Sequence, residues 1–261
     1  MAEVVVVPDP DTGGRLAART VLDTVRRNPE AVLGLATGSS PLPVYRALAR
    51  LIAEEGVDVG RVSGFALDEY VGLPPGHPES YRSVITREVT VPLGLSPDRV
   101  HVPDGDPARA DTAGEAYERA LAAAGPVDVQ LLGVGTDGHI GFNEPGSSLT
   151  SRTRLKTLTE QTRRDNARFF GSVEEVPVHC VTQGIGTILR ARHLILLAFG
   201  AAKAEAVAAA VEGPLTASVP ASAIQLHAHT TVIVDEPAAS RLTHLDYYRH
   251  AWANKPAPQH I

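Results

Sequence analysis

The sequence predicts an α/β fold built on a mostly parallel sheet, and three observations carry that prediction. Short apolar, β-branched runs alternate with helical spacings along the chain, the pattern of successive βαβ units. Two of those runs stop at a glycine-bearing turn from which a helix starts, at 37–41 and 200–203. No internal repeat or low-complexity segment interrupts the pattern, and 261 residues suit one α/β domain, alone or with a small lid.

In chain order, residues 4–7 form a β-branched run expected to be the first or an edge strand. Residues 13–27 place Leu16, Ala17, Thr20, Val21, Thr24 and Val25 on one helical face, and Pro29 ends that helix. Residues 31–36 are the next strand. Thr37, Gly38, Ser39, Ser40 and Pro41 follow at once, with Pro41 suited to a first helical position. The helix then runs through Val44, Tyr45, Leu48, Leu51 and Ile52. Residues 62–67 are the third strand, which ends in Asp68, Glu69 and Tyr70. A loop at 74–80, a short helix at 81–90 and a connector at 92–110 come next. An alanine-rich helix at 112–124 leads into the central strand, 129–134.

Beyond the loop after that strand, 160–170 is a polar helix bearing Arg163, Arg164 and Arg168, for which a solvated basic face is the default. A helix opens at 182–189, and 193–199 is a strongly apolar strand. Gly200 to Lys203 repeats the strand–glycine–helix junction, and helix follows over 201–211. Residues 213–223 are expected as loop, 225–228 as a short strand, and 231–234 as the last strand, ended by Asp235.

The bulk numbers exclude several function classes. A net charge of −6 with pI near 5.9 argues against nucleic acid as the main partner, although a small anion needs only a local pocket. Cys180 is the only cysteine, so no internal disulfide forms, and a reducing cytoplasm fits. Val178 and Val181 beside it favour a buried structural thiol. No charged-then-apolar leader opens the chain, and no apolar run approaches ~20 residues, so neither export by that route nor a membrane span is expected.

Chemistry concentrates in 128–157. The central strand stops at Gly133 and Gly135, and Asp137, His139 and Glu144 follow among glycines and Pro145. Ligands of open α/β sheets bind outside the carboxyl ends of strands, where such a loop lies. Gly133, Gly135 and Gly138 match the dinucleotide fingerprint in spacing, but Gly141, Pro145 and Gly146 interrupt the helix it requires. A metal site would need a third ligand, and the spacing of His139 and Glu144 resembles no HExxH pattern. An acid–base site accounts for more: His139 carries the proton, because imidazole titrates near neutrality, and Asp137 or Glu144 fixes its tautomer. A Gly-rich turn capped by Asp and Asn explains the glycines but not a histidine between two acids.

Elsewhere, Thr37, Gly38, Ser39 and Ser40 at a helix start fit both an anion site and simple helix capping. Asp68 follows a strand and is a candidate for chemistry, with helix capping as the alternative. Lys203 offers a cation to an anion bound at the second junction. His227 and His229 alternate onto one face with no nearby acid or cysteine to complete a metal set, which favours a structural role.

Taken together, these stretches resemble the glucosamine-6-phosphate deaminases, a Rossmann-like group of sugar-phosphate isomerases. The resemblance runs from about Leu33 to Asp235 through Leu33-Gly-Leu-Ala-Thr-Gly-Ser-Ser-Pro41, Leu67-Asp-Glu-Tyr-Val-Gly-Leu73 and His77-Pro-Glu-Ser-Tyr81. It continues through Gly135-Thr-Asp-Gly-His-Ile-Gly-Phe-Asn-Glu-Pro145, Ser147-Ser-Leu-Thr-Ser-Arg-Thr-Arg-Leu-Lys-Thr157 and Asn166-Ala-Arg-Phe-Phe170. The 6-phosphogluconolactonases share strand–Gly–Asp–Gly–His but lack the Phe-Asn-Glu-Pro continuation.

The resemblance implies a doubly wound, mostly parallel sheet with helices on both faces, a single domain over 1–261 and a lid within 145–175. It implies conversion of glucosamine 6-phosphate and water to fructose 6-phosphate and ammonia in amino-sugar catabolism, with no metal or organic cofactor. Asp68 then matches the base that moves the C2 proton to C1, and His139 the group that opens the pyranose ring, held by Asp137 and Glu144. Thr37, Gly38, Ser39, Ser40, Arg168 and Lys203 match phosphate-binding positions, and an arginine fork suits phosphate. Some forms are hexamers activated by N-acetylglucosamine 6-phosphate, and Ser147, Arg154, Lys156 and Thr157 match that allosteric site. Its remaining tyrosine falls on Arg249 in a gapless alignment, and Tyr247 or Tyr248 reach it only with a shift. Ala36, Thr136 and Gly141 also depart from common family residues. Galactosamine 6-phosphate as substrate, and a sugar-phosphate sensor without turnover, are the two alternatives. Intact Asp68 and His139 count against the sensor.

Overall fold

The computed structural model describes residues 2–256 and 261. Seven strands form the main sheet: β1 (Glu3–Val7), β2 (Val32–Leu35), β3 (Ser63–Ala66), β5 (Val100–His101), β6 (Val129–Gly133), β9 (His193–Ala198) and β10 (Thr230–Asp235). Their spatial order is β1-β10-β9-β6-β2-β3-β5, and every pairing is parallel. Three further strands, β4 (Asp68–Tyr70), β7 (Arg154–Thr157) and β8 (His179–Thr182), make a small antiparallel sheet in the order β4-β8-β7. The helices are α1 (Pro10–Arg27), α2 (Leu42–Glu55), α3 (Tyr81–Ile85), α4 (Val91–Leu93), α5 (Ala110–Ala124), α6 (Glu160–Asn166), α7 (Ile185–Ile188), α8 (Ala204–Val211), α9 (Glu236–Ala239) and α10 (Leu245–Ala253).

The order places the site. From β2 the chain steps through β3 to β5, and from β6 it steps the other way, through β9 to β10, which lies beside the first strand, β1. Opposite stepping with right-handed crossovers sends helices to both faces, and it opens a crevice where the direction reverses. That reversal lies between β2 and β6, which pair at Leu33 with Val129 and Gly34 with Gln130. The two loops singled out in the sequence, 37–40 and 134–144, leave the carboxyl ends of these two strands.

The sheet is held by burial. All six residues of β9 are buried, and Leu194, Ile195, Leu196 and Leu197 have no exposed surface. Each such side chain contributes roughly 1.5–3 kcal/mol relative to an exposed one. A second, smaller core of Tyr70, Phe142, Leu158, Val176 and Cys180 lies under the antiparallel sheet. Cys180 is fully buried, its thiol pushed up chiefly by burial, as its valine neighbours predict.

Several boundaries differ from the sequence expectation for identifiable reasons. α1 begins at Pro10 because Asp9 caps it, accepting from Thr12 N at 2.7 Å. Residues 68–70, expected at the end of the third strand, form a separate strand, β4, because β8 supplies a partner there, Asp68 opposite Thr182. β5 lies inside the expected connector, where His101 stacks on Phe65 at 4.5 Å. The expected strand at 225–228 does not form. Pro220–Leu226 is a 3-10 helix, because Gln225 turns back to the carbonyls of Ala210 (2.9 Å) and Gly213 (3.0 Å). Among the described residues, no helix is long and apolar enough to cross a membrane.

Candidate active site

A cavity of about 550 Å³ opens at the reversal point. Thr37, Gly38, Ser39, Ser40, Asp68, His139, Arg168 and Lys203 all line it. Asp137 and Glu144 stand behind His139, and Ser147, Arg154, Lys156 and Thr157 lie outside the cavity.

The loop after β2 is set by Tyr45, whose hydroxyl donates to Ala36 O (2.8 Å) and accepts from Ala36 N (3.0 Å). Gly38 then turns the chain at φ +88°, a region that disfavours side chains. The N-cap of α2 is Pro41, not a first helical residue, and no side-chain hydroxyl caps the helix. Capping therefore does not account for Thr37, Ser39 and Ser40, whose hydroxyls are left for the cavity.

Asp68 is only 5% exposed. Its backbone is clamped through Gln183, whose N donates to Leu67 O at 2.7 Å and whose Nε2 donates to Ala66 O at 3.0 Å. Burial pushes the Asp68 carboxyl up to about 8, the charge of Glu69 adds to this, and His139 and the Phe142 N–H oppose it. Glu69 is committed elsewhere: it accepts from the backbone N–H groups of Tyr70, Tyr81 and Arg82, each at 2.8 Å. Of these two acids, Asp68 is thus the one that faces the cavity.

The His139 loop is wound on itself. Gly135 N donates to His139 O at 2.9 Å, and His139 N donates to Asp137 Oδ1 at 3.1 Å. The imidazole lies directly over Gly135, where an added Cβ would run into the ring. Gly135→Ala is therefore expected to push the imidazole out of position and lower kcat by about 10²-fold or more, with melting temperature changed far less. Steady-state kinetics beside a thermal melt checks this.

His139 Nδ1 sits 2.7 Å from Asp137 Oδ1 and 3.6 Å from Glu144 Oε2. Both are ion-pair contacts without the alignment of a hydrogen bond. Burial alone would lower the imidazole pKa; the two carboxylates reverse this and hold it at about 9. Asp137, which burial would raise, is carried below the ordinary carboxylate range by His139. The three side chains also have the composition of a metal set. Ligand atoms of one tetrahedral zinc lie roughly 3.3 Å apart, however, and the 2.7 Å approach is that of a direct pair.

Glu144 joins this group to α6, because its Oε1 accepts from Thr159 N at 3.1 Å and Thr159 is the N-cap of that helix. Asn143, fully buried, donates to Ile140 O (2.9 Å) and Gln183 O (2.8 Å) and accepts from Arg154 Nη1 (2.8 Å). Arg154 thus touches the back of the 137–144 loop. At the rim, Arg168 follows α6 in a 3-10 turn and rests on the Phe169 ring, 4.7 Å from its centroid. Lys203 follows β9, on a turn fixed by Gly200 N donating to Asp235 Oδ1 at 2.9 Å. Burial lowers Lys203, and the charge of Arg168 lowers it further, so two cations share one corner.

Tyr81, Thr136, Asp165 and Asn166 also line the cavity, without a role assigned to any of them there from sequence. Asn166 donates from α6 to Tyr70 Oη at 2.9 Å. Its signal in the sequence is its place in the 166–170 motif, two residues before Arg168.

The family model of glucosamine-6-phosphate isomerases/6-phosphogluconolactonase matches residues 11–233. The chain belongs to that family. It is 62% identical over 260 residues to a glucosamine-6-phosphate deaminase of Streptomyces avermitilis, covering 99% of this chain and 100% of that protein. It is 59% identical over 272 residues to one of Bifidobacterium longum subsp. infantis, covering all of both chains. A solved structure described as a monomeric glucosamine-6-phosphate deaminase superposes with TM-score 0.89 at 41% identity, over 92% of this chain and 100% of that one. The 6-phosphogluconolactonase of Trypanosoma brucei has TM-score 0.75 at 22% identity, over 93% and 99%, and shares the fold.

Proposed function

We infer that this protein is a glucosamine-6-phosphate deaminase, which converts glucosamine 6-phosphate and water to fructose 6-phosphate and ammonia. One observation carries the reading: a buried base, Asp68, and a charged imidazole, His139, face one cavity whose rim holds Arg168 and Lys203. The relatives near 60% identity support the substrate. Hydrolysis of a lactone, the reaction named for the more distant relatives, removes no proton from carbon and so does not call for a base beside the C1–C2 edge.

In this reading Arg168, Lys203 and the 37–40 loop hold the 6-phosphate. His139 moves the proton between O1 and the ring oxygen, opening the pyranose to the C1 aldehyde. Asp68 takes the C2 proton while the electron pair passes to C1=O, giving the enolamine. Return of the proton to C1 gives the C2 imine, to which water adds as ammonia leaves. Each proton transfer of this kind is worth about 10²–10⁴ in rate. Water is consumed, so the release of ammonia is formally hydrolytic. The isomerisation moves electrons only within the substrate and calls for no redox cofactor. A segment within 145–175, carrying α6 and Arg168, serves as lid, and the lone thiol suits the cytoplasm.

Ammonia release from glucosamine 6-phosphate, with galactosamine 6-phosphate in parallel, tests the reading. Turnover of the galactosamine epimer alone corrects the substrate, and phosphosugar binding without ammonia from either replaces the enzyme with a sensor. Lys203→Met is expected to raise KM about 10–100-fold with a smaller change in kcat, because a charge-assisted contact is worth roughly 1.5–3 kcal/mol.

The solved relative described as monomeric, at 41% identity, supports a monomer competent for turnover. Regulation at Ser147, Arg154, Lys156 and Thr157 draws on the resemblance and on the Arg154–Asn143 contact. Added N-acetylglucosamine 6-phosphate should then raise activity at low substrate in the native enzyme and not in Arg154→Ala; an unchanged native curve removes those four residues from the reading.

A further inference from the structure

Asp165 is an acid beside the two cations Arg168 and Lys203, where Asp137 is the other negative charge that acts on Lys203. It lies in the last turn of α6, three residues before Arg168, and lines the same cavity wall. Its two oxygens are taken by neutral donors: Thr136 Oγ1 reaches Oδ2 at 3.1 Å, and Gln161 Nε2 reaches Oδ1 at 2.8 Å. The carboxylate is thus anchored from two sides, by its own helix and by the loop that follows β6. It is also close enough to Lys203 for its charge to act there, against that of Arg168.

We propose that Asp165 is a tuning residue that sets how strongly this corner holds a phosphate dianion. The inference rests on reading Arg168 and Lys203 as the phosphate-binding cations. A dianion between them feels the repulsion of a fixed carboxylate that hydrogen bonds prevent from swinging away. Substrate and product carry the same 6-phosphate, so cations alone would hold both equally, and such uniform binding lowers KM without raising kcat. A fixed negative charge at the rim weakens both and frees the site for the next turnover. Thr136 places that charge, since its hydroxyl holds the carboxylate against the β6 loop rather than against Lys203.

Competitive inhibition of ammonia release by inorganic phosphate isolates the effect. Asp165→Asn keeps an amide oxygen for Thr136, removes the charge and gives up only the exposed contact from Gln161. Its Ki for phosphate is expected to fall about 3–10-fold, KM to fall in step, and the difference to shrink in 1 M KCl, where screening is nearly complete beyond ~3 Å. Thr136→Val frees the carboxylate to approach Lys203, so its Ki should rise. An unchanged or raised Ki in Asp165→Asn overturns the proposal, as does an equal fall in both variants, which would point to the tether instead of the charge. Lys203→Met separates the two levels: if it leaves Ki unchanged, the phosphate-site reading itself fails. If it raises Ki while Asp165→Asn does nothing, only the role of Asp165 is lost.

Discussion

Replacing Asp68 with asparagine is expected to cut turnover by about 10²–10⁴-fold while making the protein more stable. The loss follows from removing the only side chain placed to take a proton from carbon. The gain follows from the position of that side chain. Asp68 is 5% exposed, and its carboxyl is raised from 3.8 to about 8, first by burial and then by Glu69. Between those two values the unfolded chain gives up the proton and the folded protein keeps it. Ionisation therefore favours unfolding, and native stability falls as pH rises from about 4 to about 8. The asparagine variant escapes that cost, which is on the order of a few kcal/mol. Thermal melts should coincide below pH 4 and separate progressively up to pH 8, with the variant melting higher. A variant that melts lower at pH 8 would show that Asp68 is stabilised by contacts its burial does not reveal. Buried charge held for chemistry at the expense of stability is common at active sites.

Much of this site was legible in the sequence because its parts are local. The 37–40 loop, the 137–144 loop and Lys203 each follow an apolar strand at once, so a parallel sheet gathers them at one edge without further information. Asp68 was legible for the same reason, but its environment was not. Its raised pKa comes from burial, to which β8 contributes by closing over β4 from more than 100 residues away, and from the neighbouring charge of Glu69, while His139 and the Phe142 N–H oppose the rise. β7 and β8 are four residues each; β8 has Cys180, Val181 and Thr182 buried in succession, and β7 turns charged Arg154 and Lys156 to its more buried side and Leu155 to the exposed one. No period-2 signal with an apolar inner face marks either strand. The 3-10 helix at Pro220–Leu226 was missed for the complementary reason. Gln225 reads as a strand residue until its amide is seen binding carbonyls 12 and 15 positions earlier. Asp165 and Thr136 are 29 residues apart, and nothing local to either announces the other.

Replacing Asp137 with asparagine should narrow the pH window of activity and lower its peak. The active form needs Asp68 ionised and His139 protonated. With Asp68 near 8 and His139 near 9, that form dominates over about one pH unit, and kcat/KM should be bell-shaped between limbs near those values. The high value for His139 is maintained by Asp137 and Glu144 against its own burial. Asparagine can still accept from His139 N, so the loop stays wound, but its charge is gone and the imidazole pKa must fall. Asp68, which His139 stabilises as an anion, titrates higher once that positive charge weakens. The two limbs then cross, and each unit of crossing reduces the competent fraction about tenfold, for an expected loss of about 10–100-fold in kcat/KM with KM little changed. Stability reports the same contact independently. Because His139 is raised above its unfolded value of 6.5, its contribution is complete below that pH and disappears as pH rises through about 9. Asp137→Asn should therefore destabilise the protein at pH 6 and converge on the native enzyme above pH 9.5. An alkaline limb that stays near 9 in the variant would transfer the role of holding His139 charged to Glu144 alone.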